Sequence, residues 1–456
     1  MEFEMLKKTP IFESLSSVGK RIFQPNGIFY WTGRAKNEAE INATIGTAVG
    51  PELDIIPNGR KKALPYYLPE LKNFINIDPE RLTSYAPIAG IPPFRELWKK
   101  WIIFKGKQEA NMPSGPIDAS SNITTPVVCN GITNAIYITS RMFLEPGESI
   151  ICPNKRWGNY NSVLTMQNEL KIESFQFFKN AQFNLEGMMN TLNNVSKIQN
   201  RMVLILNFPN NPTGYCPTPD EIQAIVKALT QFCQTHQKTI VVLCDDAYEG
   251  YTFSEKVAGN SIFYELLNQH ELLIPLKLDG TSKEMLMYGG RIAGITLGIH
   301  PSWIKEEGDF DQFNTEWINK VQGMVRSTIS NSNHFCQEIL VDMMKDGFEG
   351  IVSSRKKVID ILDERYKGTV ASFEKYNHTK MTMDPAGGGF FVFLNIEGIP
   401  ADKFADHLLV KYKVGTFPIV NPKEKINGIR VAFCSIPIDQ IDDCFHKIQL
   451  ALIDFN

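Results

Sequence analysis

Short apolar runs alternate with amphipathic stretches through the middle of the chain, and that alternation predicts an α/β arrangement. Met202–Phe208 is a compact apolar run whose end falls in Asn-Phe-Pro-Asn-Asn-Pro, a strand stopped by turn residues. Thr218-Pro219-Asp220-Glu221 then offers an N-cap, a proline at the first helical position and a capping-box glutamate. Ile222, Ile225, Val226, Leu229 and Phe232 follow at helical spacing, so an amphipathic helix is expected there. Thr239–Cys244, Leu272–Leu278 and Arg291–Gly298 read as further strands, and Val127–Cys129 as one that precedes a helix opened by Gly131. Beyond Ser330 long helical stretches take over, followed by Gly387–Phe393 and the strand pattern Ile429–Phe433. The expected organisation is an N-terminal arm and part of a small domain in residues 1–60, a large domain in 61–335, and a smaller α+β domain in 336–456.

Composition narrows the class. The chain has 456 residues, 43% hydrophobic and 21% charged, ordinary for a soluble globular protein. A formal charge of −3 gives no electrostatic reason to expect nucleic acid or an anionic membrane as partner. The eight cysteines include no C-x-x-C pair, and Cys152 and Cys244 lie in or beside apolar runs, so reduced core thiols are expected. No metal site is expected. The first residues, Met1-Glu2-Phe3-Glu4-Met5-Leu6-Lys7-Lys8, lack the apolar segment of a secretory signal, and no apolar stretch approaches the roughly 20 residues a bilayer needs. A cytoplasmic location is the expectation.

Candidate chemistry gathers around Lys283, in Thr281-Ser282-Lys283 after the run Leu272–Leu278, with Arg291 eight residues on. Upstream stand Asn211-Pro212-Thr213-Gly214, Asp245-Asp246-Ala247-Tyr248 and Trp157. An amine, a strand-end carboxylate, an amide, a phenol and an arginine in this order suit a pyridoxal phosphate pocket. The carboxylate of Asp245 suits a pyridinium, while Asn211 and Tyr248 suit the phenolic oxygen. Gly131-Ile132-Thr133 at a helix start, together with Arg291, suits a phosphate. Trp157 suits ring stacking. Arg430, inside the apolar pattern Ile429–Phe433, needs a carboxylate, which a substrate supplies. Each also has a plainer reading. Asp245 is a possible turn cap, Asn211 a turn former, Tyr248 and Trp157 core aromatics, and Arg430 half of a structural salt bridge.

Together these residues resemble the class I aminotransferases of fold type I, in the aspartate/aromatic branch, from about Ile41 to about Phe433. The resemblance implies a large domain with a mixed, mostly parallel seven-stranded sheet between helices, plus a smaller α+β domain. It implies that Lys283 carries pyridoxal 5′-phosphate on its amine and moves the substrate's α-proton. Asp245 would pair with the ring nitrogen, Asn211 and Tyr248 with the phenolic oxygen, and Trp157 would stack. Gly131, Ile132, Thr133, Ser282 and Arg291 would hold the phosphate, and Arg430 with Gly46 the α-carboxylate. Tyr85, in Tyr85-Ala86-Pro87-Ile88-Ala89-Gly90, resembles a tyrosine that reaches the neighbouring subunit's phosphate, which implies a homodimer with shared active sites. Arg326 resembles an arginine that crosses the dimer to a distal carboxylate, which favours aspartate as amino donor and 2-oxoglutarate as acceptor.

The chain departs from that pattern in three places. Gly280 stands where a phosphate-binding hydroxyl is usual, with Thr281 or Ser282 as substitutes. Tyr160 stands where a histidine often supports the aspartate, and the stretch from Arg291 to Arg326 is longer than usual. The alternatives are an aromatic amino acid aminotransferase, a C–S β-lyase on the same scaffold, and a non-catalytic ligand-sensing regulator. The last is disfavoured because the lysine and aspartate are both kept and the segment before Ile41 has no basic helix-turn-helix pattern.

Overall fold

The computed structural model describes residues 5–23, 27–55, 61–306 and 308–455, with the side chains of residues 13, 51–55, 61 and 62 outside that description. Of the segment Met1–Lys8, read above as no secretory signal, residues 1–4 fall outside the described residues. The large sheet has seven strands: β1 (Val127–Cys129), β2 (Ser149–Pro153), β3 (Lys171–Phe175), β4 (Arg201–Leu206), β5 (Thr239–Asp245), β6 (Leu273–Gly280) and β7 (Ala293–Leu297). Their order is β1-β7-β6-β5-β4-β2-β3. All neighbours run parallel except β7, which is antiparallel to β6 and β1.

Apolar side chains fill both faces of this sheet, as a parallel sheet buried between helices requires. Val203, Ile205, Val241 and Leu243 pack with helix α1 (Gly131–Phe143) on one face. Leu204, Leu206, Ile240 and Val242 pack with α2 (Pro219–His236) on the other. The start of α2 has the expected capping box: Thr218 Oγ1 accepts from the Glu221 amide at 3.2 Å, and Glu221 accepts from the Thr218 amide at 2.8 Å. Helix α3 (Asp309–Thr328) follows β7, and α4 (Glu349–Lys375) is the longest of the described helices.

A four-stranded antiparallel sheet follows, made of β8 (Met381–Met383), β9 (Val392–Ile396), β10 (Phe417–Asn421) and β11 (Ile426–Val431) in the order β8-β9-β11-β10. Near the N-terminus, Ile41–Asn42 pairs in parallel with Val414–Gly415. Ion pairs bind this sheet to the large one: Lys155 Nζ lies 2.6 Å from Asp384, and Arg156 lies 2.7 Å from Glu424.

Two expected boundaries move. Asp245 is the last residue of its strand rather than the one after it, in register with Leu278 of β6. Arg291 does not begin a strand. Its φ of 51° turns the chain, and β7 starts at Ala293. The eight cysteines are free and buried. Among the described residues, no helix is long and apolar enough to cross a membrane.

Candidate active site

Parallel strands deliver their following residues to one edge of a sheet, and here that edge opens into a cavity of about 180 Å³. Ile132, Thr133, Trp157, Asn211, Asp245, Tyr248, Ser282, Lys283 and Arg291, all expected at a shared site, line it. Asn207 and Ala247, which the sequence reading missed, line it as well.

Lys283 sits in the single helical turn Thr281–Glu284 after β6. Its amine lies 5.1 Å from the centre of the Tyr248 ring. Burial lowers its pKa to about 8, and the charges of Arg291 and Arg430 push the same way, while Asp245 opposes them. Asp245 is 3% exposed and has no salt-bridge partner among the described residues. Burial raises its pKa, and a hydrogen bond from Tyr160 holds it back. That bond runs from the Tyr160 hydroxyl to Asp245 Oδ2 at 2.5 Å. Tyr160 is itself buried, and its ring stands edge-on to Trp157 with centroids 5.8 Å apart. Thus Tyr160 gives the aspartate the support that the departure from histidine had put in question.

Asn207 fixes two of the expected residues together. Its amide donates to the Asp245 carbonyl at 2.8 Å, and its oxygen accepts from the Asn211 backbone at 2.9 Å. The signal in the sequence was a lone amide closing the apolar run of β4, easily read as a turn former. Tyr248 is buried against Phe390 and Phe391, and that burial raises its pKa.

At the opposite wall, Arg291 donates to Ser282 Oγ at 3.0 Å and to the Tyr288 carbonyl at 3.2 Å. Gly131 has a φ of 75°, and a Cβ there would lie 2.2 Å from an Arg291 terminal nitrogen. The positive φ favours glycine, and a side chain there would have to displace the end of the Arg291 side chain. The Asn130 side chain makes no cap at the N-terminus of α1, so the first amides of that helix, beside Arg291, are left without one. Gly280 has no room for a side chain, since a Cβ would meet the Ile292 carbonyl oxygen at 2.6 Å across the β6–β7 pair. Of its two proposed substitutes, Thr281 turns to that same carbonyl, and Ser282 faces the cavity.

Arg430, on β11, is 5% exposed. It donates to Asn211 Oδ1 at 3.0 Å and to the Thr44 carbonyl at 2.8 Å, while its Nε has no partner. Phe391 and Phe417 lie 4.1 and 5.1 Å from its guanidinium carbon. Burial lowers its pKa to about 10. Among the described residues no carboxylate pairs with it, so the salt-bridge reading of Arg430 fails. Gly46 lies beside Phe391, and a Cβ there would come within 2.4 Å of the ring.

Gly131 and Arg430 meet the lining residues Arg291 and Asn211 without lining the cavity themselves, and Gly46, Tyr85 and Arg326 do not line it either. Tyr85 is 88% exposed. Arg326 is exposed near the end of α3 and bonds Ser330. They share one neighbourhood, since Asn331 donates to the Ala86 carbonyl at 2.7 Å and His334 contacts the Ser84 carbonyl at 2.8 Å.

Residues 59–448 match the model of aminotransferase class I and II. The chain belongs to that family. Its cofactor is pyridoxal 5′-phosphate. A "Probable aspartate/prephenate aminotransferase" of Aquifex aeolicus is 23% identical over 348 residues, covering 74% of this chain and 76% of the relative. A tyrosine aminotransferase of Dictyostelium discoideum is 19% identical over 390 residues, covering 82% and 81%. The crystal structure of an aminotransferase from Anaerococcus prevotii superposes with a TM-score of 0.76 at 23% identity, covering 97% of this chain and 100% of the other. That likeness establishes the fold. The cavity of this aminotransferase fits the cofactor on its own chemistry. It offers an amine, a buried carboxylate with no salt bridge among the described residues, and a cation beside a helix start at a positive-φ glycine.

Two outcomes follow from this geometry. Tyr160→Phe removes a hydrogen bond to a buried carboxylate, on the order of 1.5–3 kcal/mol, so the hold on the cofactor weakens about ten- to hundredfold. Equilibrium binding to the cofactor-free protein measures it, with circular dichroism as the check on folding. Lys283, expected from the sequence to carry the cofactor, would take it up as the neutral amine when that protein recombines with pyridoxal phosphate. The rate therefore rises with pH through about 8, by about tenfold from pH 7 to pH 9, as stopped-flow absorbance would follow.

Proposed function

We propose that this aminotransferase moves an amino group from an L-amino acid, aspartate, to a 2-oxo acid, 2-oxoglutarate, in two half-reactions at one cavity. The observation that carries the reading is Arg430: a buried, carboxylate-free guanidinium bonded to Asn211, beside the wall that holds Lys283 and Asp245. A buried charge of this kind is costly until a carboxylate reaches it, and an α-carboxylate placed there brings the substrate's Cα toward Lys283.

The roles follow from position. Arg291, Ser282, Thr133 and the first amides of α1, from Gly131 and Ile132, would hold the phosphate. Asp245, steadied by Tyr160, would keep a proton on the ring nitrogen, and Asn211 and Tyr248 would face the phenolic oxygen. Trp157 would cover the ring face. Pyridoxal phosphate, once bound, supplies an electron sink for the pair of electrons released at Cα. Lys283 would hold the cofactor through its amine and, when freed, take the proton from Cα and return it to the carbon bearing the transferred nitrogen. Its lowered pKa suits it to accept that proton near neutrality. Gly46 would leave room beside Phe391 for the bound carboxylate.

Specificity would come from a second copy of the chain. Tyr85 and Arg326 lie outside this chain's cavity on one exposed neighbourhood, which suits residues that act across a homodimer. Arg326 would then meet the distal carboxylate of aspartate or 2-oxoglutarate. The aspartate/prephenate aminotransferase relative supports this choice. A second reading takes aromatic donors. It is favoured by Phe391 and Phe417 around Arg430 and by the tyrosine aminotransferase relative.

The visible absorption of the purified enzyme tests the reading. Aspartate is expected to remove the cofactor band and 2-oxoglutarate to restore it. A band that ignores aspartate and responds to phenylalanine selects the aromatic reading. A protein that shows no such band after the cofactor is supplied would sink both. Arg326→Leu is expected to lower kcat/KM for aspartate about ten- to hundredfold while leaving phenylalanine nearly unchanged. Equal losses for the two donors would remove Arg326 from that role.

A further inference from the structure

Behind the cavity, on the side away from the proposed cofactor pocket, lies a group of charged side chains that the reaction does not use. Lys105, Asp246, Glu249, Lys277, Asp279, Glu284 and Arg355 are all buried. Lys277 lies 2.6 Å from Asp246 and 2.8 Å from Glu249. Lys105 bonds Glu249, lies 2.8 Å from Glu284 and 3.6 Å from Asp279. Arg355 lies 3.2 Å from Glu284 and donates to the Glu249 carbonyl at 3.1 Å. Glu249, Asp279 and Glu284 converge as closely as metal ligands do, but the Lys105 ammonium fills the place a cation would take. The group is a buried ion-pair network of four carboxylates and three cations, in which Asp279 Oδ2, Glu284 Oε2 and Arg355 Nε accept or donate no hydrogen bond.

Its position is what matters. Asp246 follows Asp245, and Glu284 follows Lys283, so two members are chain neighbours of the two proposed reacting-site residues. Lys283 lies in one isolated helical turn of four residues, Thr281–Glu284. A single turn has almost no intrinsic stability, so its placement must come from tertiary contacts. Those contacts converge on Glu284 Oε1, which accepts from Trp101 at 2.8 Å, Lys105 at 2.8 Å and Arg355 at 3.2 Å. The Lys283 carbonyl accepts from the Tyr251 hydroxyl at 2.8 Å, and Arg355 lies over the Tyr251 ring at 5.7 Å.

Arg355 also ties this turn to the opposite wall. It stands on α4, whose Arg365 donates to the Cys434 carbonyl at 2.7 Å, four residues beyond Arg430. Helix α4 therefore touches both the turn that presents Lys283 and the segment that presents Arg430. Proton transfer between a lysine and a substrate carbon held by that arginine requires both walls in register to well under 1 Å.

We infer that Glu284 and Arg355 are positioning residues for amino transfer: their ion pair fixes the turn carrying Lys283 and sets it against the arginine segment through α4. The inference rests on the proposed role of Lys283 in moving the α-proton. It assigns neither residue a contact with substrate or cofactor.

The test uses the cofactor-loaded enzyme with Arg355→Met, Arg355→Lys and Trp101→Phe, the last removing one bond to Glu284 and keeping an aromatic ring. L-Aspartate and L-phenylalanine, each with hydrogen or deuterium at Cα, serve as donors. In Arg355→Met, kcat is expected to fall about tenfold or more with KM nearly unchanged, and the deuterium effect on kcat to rise. Arg355→Lys is expected to recover part of the loss, and Trp101→Phe to show a smaller change of the same kind. A lower melting temperature with wild-type kcat and isotope effect below it would overturn the inference, leaving the pair merely structural. If Arg355→Met does not fold, the other two variants decide by the same readouts. A wild-type enzyme inert toward both donors would instead defeat the proposed function, and this inference with it.

Discussion

Asp245 and Arg430 are charged side chains taken out of water, 3% and 5% exposed, and among the described residues neither has an ion-pair partner. Uncompensated charge in a protein interior costs several kcal/mol, so the fold must hold these groups rigidly with neutral partners. Tyr160 and the Ala247 amide hold Asp245, while Asn211 and the Thr44 carbonyl hold Arg430. A few residues away the chain handles charge in the opposite manner. Asp246, the next residue after Asp245, pairs with Lys277, and Glu284, next to Lys283, pairs with Lys105 and Arg355. Successive residues at a strand end point to opposite sides, so adjacent aspartates can enter different environments. Charge facing the cavity is left open for a ligand, and charge facing the interior is closed by counter-ions. Burial still raises the Asp246 pKa to about 7, so even the closed side bears a cost.

Much of this was legible in the sequence because the informative residues sit at ends of apolar runs. Asp245 closes β5, Asn211 follows β4, and Lys283 follows β6, so the parallel arrangement alone brings them to one edge. The capping box of α2 was legible for the same reason: its atoms lie within four residues. What could not be read depends on contacts between distant segments. Tyr160 reaches Asp245 across 85 positions, and nothing in the local pattern around either residue says so. Gly280 is small because of a carbonyl on the neighbouring antiparallel strand, and the choice of Ser282 over Thr281 follows from that same carbonyl. Lys105 lies on the helix Pro92–Gly106, far upstream of Glu284, and its burial against that carboxylate is set by the fold and not by its neighbours in the chain. Arg291 misled in the other direction. Its apolar successors suggested a strand start, but the turn at φ 51° is what aims its guanidinium at Ser282.

The second sheet contributes through few but well-placed links. Lys155 and Arg156 pair with Asp384 and Glu424, and Trp157 is the next residue. The ring expected to cover the cofactor is thus anchored by charges whose partners belong to the other sheet. Arg430 comes from that sheet too, and α4 meets its segment through Arg365. A shift of the smaller sheet would move the Trp157 loop and Arg430 together. The cavity is therefore shaped by how the two sheets sit against each other as much as by the strand ends that line it.

Substrate choice has a different physical basis from chemistry in this molecule. Among the residues lining the cavity the cations are Lys283 and Arg291, which the proposed mechanism gives to the cofactor, and Arg430 adjoins them with capacity for one carboxylate. A second carboxylate on the substrate would need a cation from outside this cavity. Arg326 is chemically free to supply it: it is exposed, it bonds the neutral Ser330 hydroxyl, and withdrawing it from water toward an anion forfeits little. Tyr85, held near by the Asn331 and His334 contacts to its loop, has the same exposed character. The residues proposed to select the amino acid can then vary on a surface without disturbing the desolvated charges to which the proposed mechanism gives the chemistry. On the proposed reading, that separation lets one cavity architecture serve dicarboxylic or aromatic donors, with the choice made across the proposed pair of chains.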